Sequence, residues 1–381
     1  MDRPIIFHRV EPEVRKSSYN SFDNVDFVLT GYEGRNLDLN SVRVEGVLNC
    51  FINNVEPTST AGNADAVVYF DRFVGAHSCF ETIQTQIGGS LVENVMDYPR
   101  LIKMKSTAQL NQSQMFNSEN VCELKCSSEE QTRDYIFGEV PQTGLNQTAA
   151  NRLKGHTPTD FSIKPRICLN QGLGKLAYSK TGDIILTVTI ARKEQIFYGP
   201  GNAAAFTFNL SDLRVTFTSS PMMEGQAPEV QMATTVTLKQ SISSNRANIS
   251  MKVPAICRGV SASFQTQSKQ NTLTDNNLDL VKLPDMERIQ FLFNDSTSGA
   301  PISYVLDNNV DVLTRYIESF GDTGVNSVSR RNVLDNMAYG VGVDFGTLAD
   351  LRNQKFSVQV EANINAETRV MYLYFHSFIT V

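Results

Sequence analysis

Apolar and polar residues alternate at every second position in many segments of this chain, which is the spacing of a β-strand with one buried face. These segments are rich in Val, Ile, Phe and Thr, which suit strands. They include "DIILTVTIAR" (183–192), "AAFTFNLSDLRVTFTS" (204–219), "NISMKVPAICRGVSASFQT" (248–266), "RIQFLF" (288–293) and "KFSVQVEANI" (355–364). The spacing predicts a chain built mainly from strands.

The terminal segment "TRVMYLYFHSFITV" (368–381) is nearly continuous in apolar content, which predicts a strand that is buried on both faces or closes a sandwich core. No helical period persists beyond roughly 10 to 12 residues. The segments with helical spacing are short and lie at 93–104, 308–320 and 329–340. The polar stretches lie at 105–135, 137–160 and 268–280, and they predict loops. Many strands with few helices favour antiparallel β-sandwiches.

One order of elements occurs twice. "ETIQTQIGGSLVENVMDYPRLI" (81–102) and "ERIQFLFNDSTSGAPISYVLDNNVDVLTRYIESFG" (287–321) each predict a strand, a turn, a strand, an Asn or Asp cap and a short helix. Each half then ends in two strong strands. This recurrence predicts a duplicated β-domain, and 381 residues suffice for two cores. We predict an N-terminal arm at 1–24, a first domain at 25–220 and a second at 221–381.

Composition narrows the possible functions. The net charge is −6, and no basic run is longer than the two residues of Arg330–Arg331, so wrapping of nucleic acid through its phosphates is not expected. The N-terminus lacks the pattern of a secretory signal, and no apolar stretch is long enough to span a bilayer. The six cysteines lack framework spacing and are expected to be reduced.

The chain resembles the double jelly-roll major capsid proteins of the tailless icosahedral virus lineage that includes the adenovirus hexon and the membrane-containing phages. The resemblance is one of pattern and covers most of the chain. It rests on "FDRFVGAHSCFETIQTQIGGSLVENVMDYPRLI" (70–102), "FTFNLSDLRVTF" (206–217), "ISMKVPAICRGVSASF" (249–264), "MERIQFLFNDSTSGAPISYVLDNNVDVLTRYIESF" (286–320) and "RVMYLYFHSFITV" (369–381).

The resemblance implies an all-β fold of two antiparallel eight-stranded jelly-roll sandwiches in tandem, with a few short helices in loops. It implies a homotrimer that forms a pseudo-hexagonal capsomer and tiles an icosahedral shell. The implied partners are copies of the chain, neighbouring capsomers, penton and minor capsid proteins, and an internal membrane reached through the N-terminal arm. The implied location is the virion capsid, after synthesis inside the host cell without secretion.

The glycine-rich segments do not match a nucleotide site. "NQGLGKLAYS" (170–179) contains Gly174 and Lys175, but Leu169 stands where a phosphate loop has its first glycine, so a turn is predicted. "YGVGVDFG" (339–346) lacks a strand-to-helix context, and a strand with close backbone packing is predicted.

Candidate catalytic side chains are few. His77 could share a strand face with Cys79, but no nucleophile elbow is present, and a strand start near the first core is the preferred interpretation. His376 is predicted to be a hydrogen-bonded core or interface residue. His8 falls in the predicted arm. Cys122 and Cys126 could supply two metal ligands, but no second close pair accompanies them, so no metal, cofactor or catalytic site is predicted.

Carboxylate pairs such as Asp183 with Glu194 and Asp307 with Asp311 are indistinguishable from solvated surface in the sequence. We therefore expect a non-enzymatic shell protein. The alternative is a two-domain β-sandwich carbohydrate-active hydrolase or carbohydrate-binding protein, although the chain has no Trp for sugar stacking. A tail, spike or receptor-binding protein is a third possibility, although no repeats or coiled-coil stalk are present.

Overall fold

The computed structural model describes residues 5–31, 34–52, 68–71, 73–109, 122–125, 136–137, 158–172, 174–198, 206–222, 229–279, 286–294, 299–321, 340–362 and 367–381. The strands of the first half are β1 (Ile6–Val10), β2 (Asn24–Leu29), β3 (Arg35–Asp38), β4 (Arg43–Ile52), β5 (Val68–Phe70), β6 (Phe80–Ile87), β7 (Ser90–Met96), β8 (Ile136–Phe137), β9 (Thr159–Ile163), β10 (Lys175–Ala177), β11 (Ile184–Ile190), β12 (Phe197–Tyr198) and β13 (Phe206–Pro221).

The strands of the second half are β14 (Gln231–Ile242), β15 (Arg246–Lys252), β16 (Ile256–Thr266), β17 (Met286–Asn294), β18 (Pro301–Leu306), β19 (Val341–Asp350), β20 (Lys355–Ala362) and β21 (Arg369–Thr380). The α-helices of the described residues are α1 (Tyr98–Gln109), α2 (Tyr178–Thr181), α3 (Lys193–Ile196) and α4 (Asn309–Ser319). Short 3₁₀ helices occur at Gly75–Cys79, Cys168–Asn170 and Gln267–Lys269. None of these helices is both long and apolar enough to cross a lipid bilayer.

The second half is a complete jelly roll within the described part of the chain. If its strands are counted from one to eight, one sheet has the order six, three, eight, one (β19-β16-β21-β14). The other has the order two, seven, four, five (β15-β20-β17-β18). Neighbouring strands in both sheets are antiparallel. This pairing is the double Greek key of a jelly roll.

The first half repeats that pairing order. Its eight counterparts are β1, β2, β4, β6, β7, β9, β11 and β13. Their pairing gives β9-β4-β13-β1 as one sheet and β7-β6-β11-β2 as the other, which are again the orders six, three, eight, one and five, four, seven, two. The remaining strands are additions, with β3 and β10 extending the first sheet and β5, β8 and β12 forming a small separate sheet. The predicted tandem of two eight-stranded jelly rolls is confirmed.

The repeat seen in the sequence is the fourth and fifth strands of each roll and the helix that follows them. In the first roll, β6 and β7 are joined at Gly88 and Gly89, which both have positive φ and so suit glycine. In the second roll, Asn308 caps α4 as predicted, because its Oδ1 accepts a hydrogen bond from the Asp311 amide at 2.8 Å.

Some predicted boundaries are wrong. The segment 93–104 was expected to be helical throughout, but its first residues complete β7, because the glycine turn places them opposite β6. The segment 248–266 forms two strands, with Pro254 in the gap where it donates no ladder hydrogen bond. The predicted helix at 329–340 lies outside the described residues, apart from Gly340.

Part of the predicted N-terminal arm at 1–24 is a strand. Residues Ile6–Val10 form β1 and pair along β13, and His8 stacks on Phe217 with ring centroids 4.7 Å apart. Tyr19 exchanges backbone hydrogen bonds with Leu210. The backbone of the predicted arm is therefore bound to the first roll. The division of the chain at 220 and 221 stays a prediction, although β13 ends at Pro221 and β14 begins at Gln231.

The two cores follow the predicted alternation. Alternate residues of β11 and β20 are buried, whereas residues 369–375 of β21 are buried without a break. The second face of β21 is covered by α1 and the residue before it. Arg100 of α1 lies over the Tyr372 ring, 4.4 Å from its centroid. The Tyr374 hydroxyl donates a hydrogen bond to the Asp97 carbonyl at 3.0 Å. The prediction that this strand is buried on both faces is confirmed.

Residues 340–346 include the start of β19, and two of the glycines, Gly340 and Gly342, lie close against neighbouring atoms. A Cβ atom at Gly340 would lie 2.3 Å from the Ala262 carbonyl oxygen, and one at Gly342 would lie 2.4 Å from the Ser319 hydroxyl oxygen. Real Cβ atoms do not come that close to other heavy atoms, so the described part of this motif is a strand with close packing at Gly340 and Gly342, as predicted.

We expect Gly340→Ala to lower the free energy of unfolding by about 1–3 kcal/mol, the usual range for overpacking a close contact. The neighbouring carbonyl belongs to β16 and cannot rotate away without breaking the sheet. Urea unfolding followed by circular dichroism measures the loss. A variant as stable as the wild type would show that the strands β16 and β19 are less closely packed than described here.

Candidate functional site at the contact between the two rolls

The two rolls share one sheet, and the join between them is short. The eight-stranded sheet runs β19-β16-β21-β14-β7-β6-β11-β2, so four strands come from each roll. At the join, β14 and β7 are parallel and are bridged at Val236 and Asn94. A full backbone ladder therefore does not hold the rolls together here, and side chains supply the other bonds. We call the residues of β7 and α1 that touch β14, β16, β21, α4 and 270–279 the inter-roll contact.

Glu93 on β7 bonds to both sides of the join. Its Oε1 accepts a hydrogen bond from the Thr235 amide on β14 at 2.9 Å, and its Oε2 accepts one from the Cys168 amide at 2.7 Å. The carboxyl group is buried. Burial raises the pKa of Glu93 to about 7, although the two amides and the nearby charge of Lys105 act in the opposite direction. One side chain thus satisfies two buried backbone amides in place of a ladder.

Helix α1 lies buried within the inter-roll contact. Residues 98–108 are all buried even though the helix carries three basic side chains. A buried polar helix is stable only when its polar groups have partners. Arg100 donates to Gln265 Oε1 on β16 at 2.9 Å and to the Asn277 carbonyl at 2.6 Å. The first roll's helix is therefore bonded to the second roll.

Lys103 of α1 forms a second polar link. Its ammonium group bonds to Asp71 Oδ2, and both side chains are almost fully buried. The same carboxylate accepts a hydrogen bond from Asn276 Nδ2 at 2.7 Å and, through Oδ1, from the Phe73 amide at 2.9 Å. Asp279 Oδ1 lies 3.6 Å from Lys103. Asp71 thus joins a buried ion pair of the first roll to residues that follow β16.

The two equivalent helices also meet. The Tyr316 hydroxyl of α4 donates to the Met104 carbonyl at 2.9 Å and lies 3.0 Å from Thr107 Oγ1, all in the interior. Gln109 Nε2 donates to the Phe320 carbonyl at the end of α4 at 2.8 Å. The helix that follows the fifth strand of each roll therefore packs against its own counterpart. Such an arrangement fixes the angle between the rolls.

His77 lies in the 3₁₀ helix Gly75–Cys79 and not at a strand start, so that detail of the prediction is wrong. Its Nδ1 is 2.8 Å from the Tyr98 hydroxyl, and its Nε2 is 3.1 Å from Glu123 Oε2. Lys125 Nζ lies 2.7 Å from the same oxygen. Burial raises the pKa of the adjacent Cys79 thiol, so the thiol stays protonated. This buried cluster positions α1 and offers no activated nucleophile.

This buried cluster makes the folding stability of the chain depend on pH. Burial lowers the pKa of His77 to about 4, with Glu123 raising it and Lys125 lowering it. An unfolded histidine titrates near 6.5, so between about pH 6.5 and 4 the unfolded chain binds a proton that the folded chain does not. The contribution of His77 to stability is therefore present above about pH 6.5 and is lost as the pH falls.

The variant His77→Gln isolates this effect from other titrating groups such as Glu93. At pH 7 the variant should be less stable than the wild type because it loses buried contacts. As the pH falls to 4 the difference in unfolding free energy should shrink by up to about 3 kcal/mol, the equivalent of the pKa shift. Urea titrations at several pH values measure it, and a difference that stays constant would contradict a neutral buried His77.

The other two histidines in the described part of the chain, His8 and His376, have polar partners. His376 Nε2 lies 3.0 Å from the Ser261 hydroxyl, and its ring packs on Phe320 with centroids 4.9 Å apart. The pKa of His376 is lowered to about 3. Burial is the largest cause, and the charges of Lys105 and Arg258 contribute less. The hydrogen bond predicted for His376 is present, and Ser261 and Phe320 both belong to the second roll. His8 Nε2 lies 2.7 Å from the Ser219 hydroxyl.

The carboxylate pairs are not brought together as catalytic pairs. Asp183 and Glu194 lie beyond opposite ends of β11, about 20 Å of strand apart. Asp307 and Asp311 lie at the exposed start of α4. Among the described residues no group of three or more His, Cys, Asp or Glu is placed to hold a metal ion, and Cys126 lies outside those residues.

The lysine of "NQGLGKLAYS" (170–179) lies in a strand and not in a phosphate loop. Lys175 starts β10, which pairs with β3, and the four-residue helix α2 follows it. This is not the strand, glycine loop and long helix of a phosphate site.

Sequence reasoning did not identify Glu93, Asp71, Arg100 or Lys103 as important. The available signal was the charge on "YPRLIKMK" within a segment otherwise suited to burial. Such a charged segment is equally compatible with an exposed amphipathic helix and with a buried helix. The residues that bond to these charges are distant in sequence, so the local pattern does not distinguish the two cases.

Comparison with solved structures shows that the chain has the double jelly-roll fold. It is similar to the PBCV-1 virus capsid model, with a TM-score of 0.61 and 10% identity over 100% of this chain and 94% of that one. It is similar to the Sputnik virophage structure, with a TM-score of 0.55 and 13% identity over 100% and 86%. The Faustovirus major capsid protein gives a TM-score of 0.53 and 8% identity over 100% and 91%. No protein-family model and no curated protein matches the sequence.

Proposed function

We propose that this chain is a viral major capsid protein, located in the virion shell. The observation that carries the proposal is the fixed pair of jelly rolls with identical strand order, joined by a buried polar contact and similar along its whole length to capsid structures. A shell subunit must keep one shape under load, and a buried network with distant partners resists rotation of one roll against the other. The proposed role is structural and not catalytic.

The finer proposal is a homotrimer that forms a pseudo-hexagonal capsomer and packs against neighbouring capsomers. A trimer would present six upright rolls, with the second domain taken as 221–381. Several large apolar side chains are exposed in the single chain and are suited to burial against another copy, namely Ile5, Phe7, Leu91, Val310 and Leu348. An obligate interface of this kind buries more than about 2,000 Å².

Penton proteins, minor capsid proteins and an internal membrane stay proposed partners. Because Ile6–Val10 pair with β13 of the first roll, contact of this segment with a membrane would involve β1 itself. The alternative function is a carbohydrate-active hydrolase or carbohydrate-binding protein, and no observation in the described residues favours it.

The mass of the purified full chain in solution tests the proposal. Sedimentation equilibrium should give about 127 kDa, three times the chain mass of 42.4 kDa, across a wide range of concentration. A chain that stays at 42.4 kDa and melts at a higher temperature when sugars are added would overturn the capsid role and favour the carbohydrate binder.

A further inference from the structure

A cavity of roughly 250 Å³ lies at the edge of the inter-roll contact. It is lined by both rolls, with α1 on one side, β14 and β21 on another and the end of α4 on a third. Its polar lining includes Lys105, Arg166, Arg258 and His376, together with hydroxyl and amide side chains such as Ser319 and Gln171. The capsid role does not account for this convergence of basic groups.

The cavity is positively charged in a chain whose net charge is −6. Among the described residues that line it, none is Asp or Glu. Arg258 has a partner in Asp344, at 2.9 Å. Lys105, which is 9% exposed, donates to the neutral Gln171 Oε1 at 2.7 Å. Within the described part of the chain, neither Lys105 nor Arg166 forms an ion pair.

The basic groups also repel one another. Burial lowers the pKa of Lys105 to about 8, with Glu93 raising it and Arg166 lowering it further. The charges of Lys105 and Arg258 likewise contribute, after burial, to the lowered pKa of His376. Each basic group therefore interacts with at least one of the others, and an anion placed among them would relieve the repulsion.

The carboxyl ends of α1 and α4 give another explanation for the basic groups, since helix C-termini carry partial negative charge and attract cations. That attraction is weak compared with a full charge. One carbonyl at the end of α4 is already bonded to Gln109 Nε2, which donates to Phe320 at 2.8 Å. The helix ends therefore offset only part of the positive charge.

We propose that this cavity binds a small oxyanion with more than one negative charge, of the phosphate type, through Lys105, Arg166 and Arg258. Charge-assisted hydrogen bonds to such an ion are about twice as strong as neutral ones. Because the lining comes from both rolls, the bound ion would also strengthen the inter-roll contact.

Calorimetric titration of the full chain at pH 7 in a buffer without phosphate tests this site. Inorganic phosphate, sulfate and acetate are compared with sodium chloride at matched ionic strength. We expect saturable binding of phosphate and sulfate with one site per chain and little binding of acetate. Arg166→Gln should weaken phosphate binding by at least about tenfold, which is the loss of one charged contact.

Two further variants complete the design. Lys105→Met should weaken binding in the same way. Arg246→Gln removes an equal charge from an 84% exposed side chain on β15, outside the cavity, and should leave binding unchanged. If Lys105→Met does not fold, Arg166→Gln decides the outcome, because Arg166 is only partly buried. Absence of binding, or equal weakening by Arg246→Gln and Arg166→Gln, would overturn the site and leave the helix ends as the reason for the basic groups.

Discussion

At pH 8, above the raised pKa of about 7, replacing Glu93 by alanine is expected to lower the free energy of unfolding by about 3–5 kcal/mol, the loss of two buried hydrogen bonds to a carboxylate. The amides of Cys168 and Thr235 would then be buried without an acceptor. The bond to Thr235 crosses the join of β7 and β14, which has few backbone bonds, so its loss weakens the contact between the rolls, whereas the bond to Cys168 lies within the first roll. Urea unfolding measures the loss of unfolding free energy. Hydrogen exchange at the amides of Cys168 and Thr235 should also become faster.

Two comparisons make the Glu93 result specific. Glu93→Gln keeps one acceptor oxygen and should cost less than alanine. Glu229→Ala, at an exposed position just before β14, should stay within about 0.5 kcal/mol of the wild type, as surface changes usually do. An alanine variant at position 93 that matches Glu229→Ala would show that the carboxylate does not join the rolls.

Replacing Asp71 by asparagine is expected to cost about 3–5 kcal/mol, because removing one partner of a buried ion pair leaves the other charge without compensation. Of its two carboxylate partners in the described residues, Lys103 would keep the more distant Asp279, whose side chain is 55% exposed. In the wild type, Asn276 and Phe73 donate hydrogen bonds to the Asp71 carboxylate. In the variant, the side-chain amide of the asparagine would turn an N–H group toward one of these donors, and that hydrogen bond would be lost. Thermal or urea unfolding of the full chain measures the loss.

A double-mutant cycle separates the ion pair from general damage. Lys103→Met alone leaves the Asp71 carboxylate buried with its two amide donors. The double variant Asp71→Asn, Lys103→Met removes both charges, so its loss should be clearly smaller than the sum of the single losses. Additive losses would mean that the two charges do not interact in the folded chain.

Much of the fold was predictable because strand spacing and turn residues are local properties. The alternation in 183–192 and 355–364 reports which side chains of β11 and β20 are buried. The repeated hairpin and helix in the sequence correspond to the fourth and fifth strands of each roll and the helix that follows them. Strand β1 was missed because it is only five residues long and draws its stability from pairing with β13. Such pairing is a tertiary effect that the local pattern does not contain.

The inter-roll contact was much less predictable. Glu93 fits the polar half of an alternating strand, and nothing near it indicates that its carboxylate reaches Cys168 and Thr235, 75 and 142 residues away. Similarly, "YPRLIKMK" has helical spacing, but the partners of Arg100 lie on β16 and at Asn277. Buried polar networks depend on which elements meet, and the chain order alone does not give that.

Electron micrographs of the purified full chain, averaged into classes, are the most direct measurement of whether it is a capsomer subunit. Particles with a six-sided outline and threefold symmetry, each chain supplying two adjacent lobes, are the predicted result. Isolated two-lobed particles at every concentration, with no threefold class, would contradict the assignment of this double jelly roll to a viral shell.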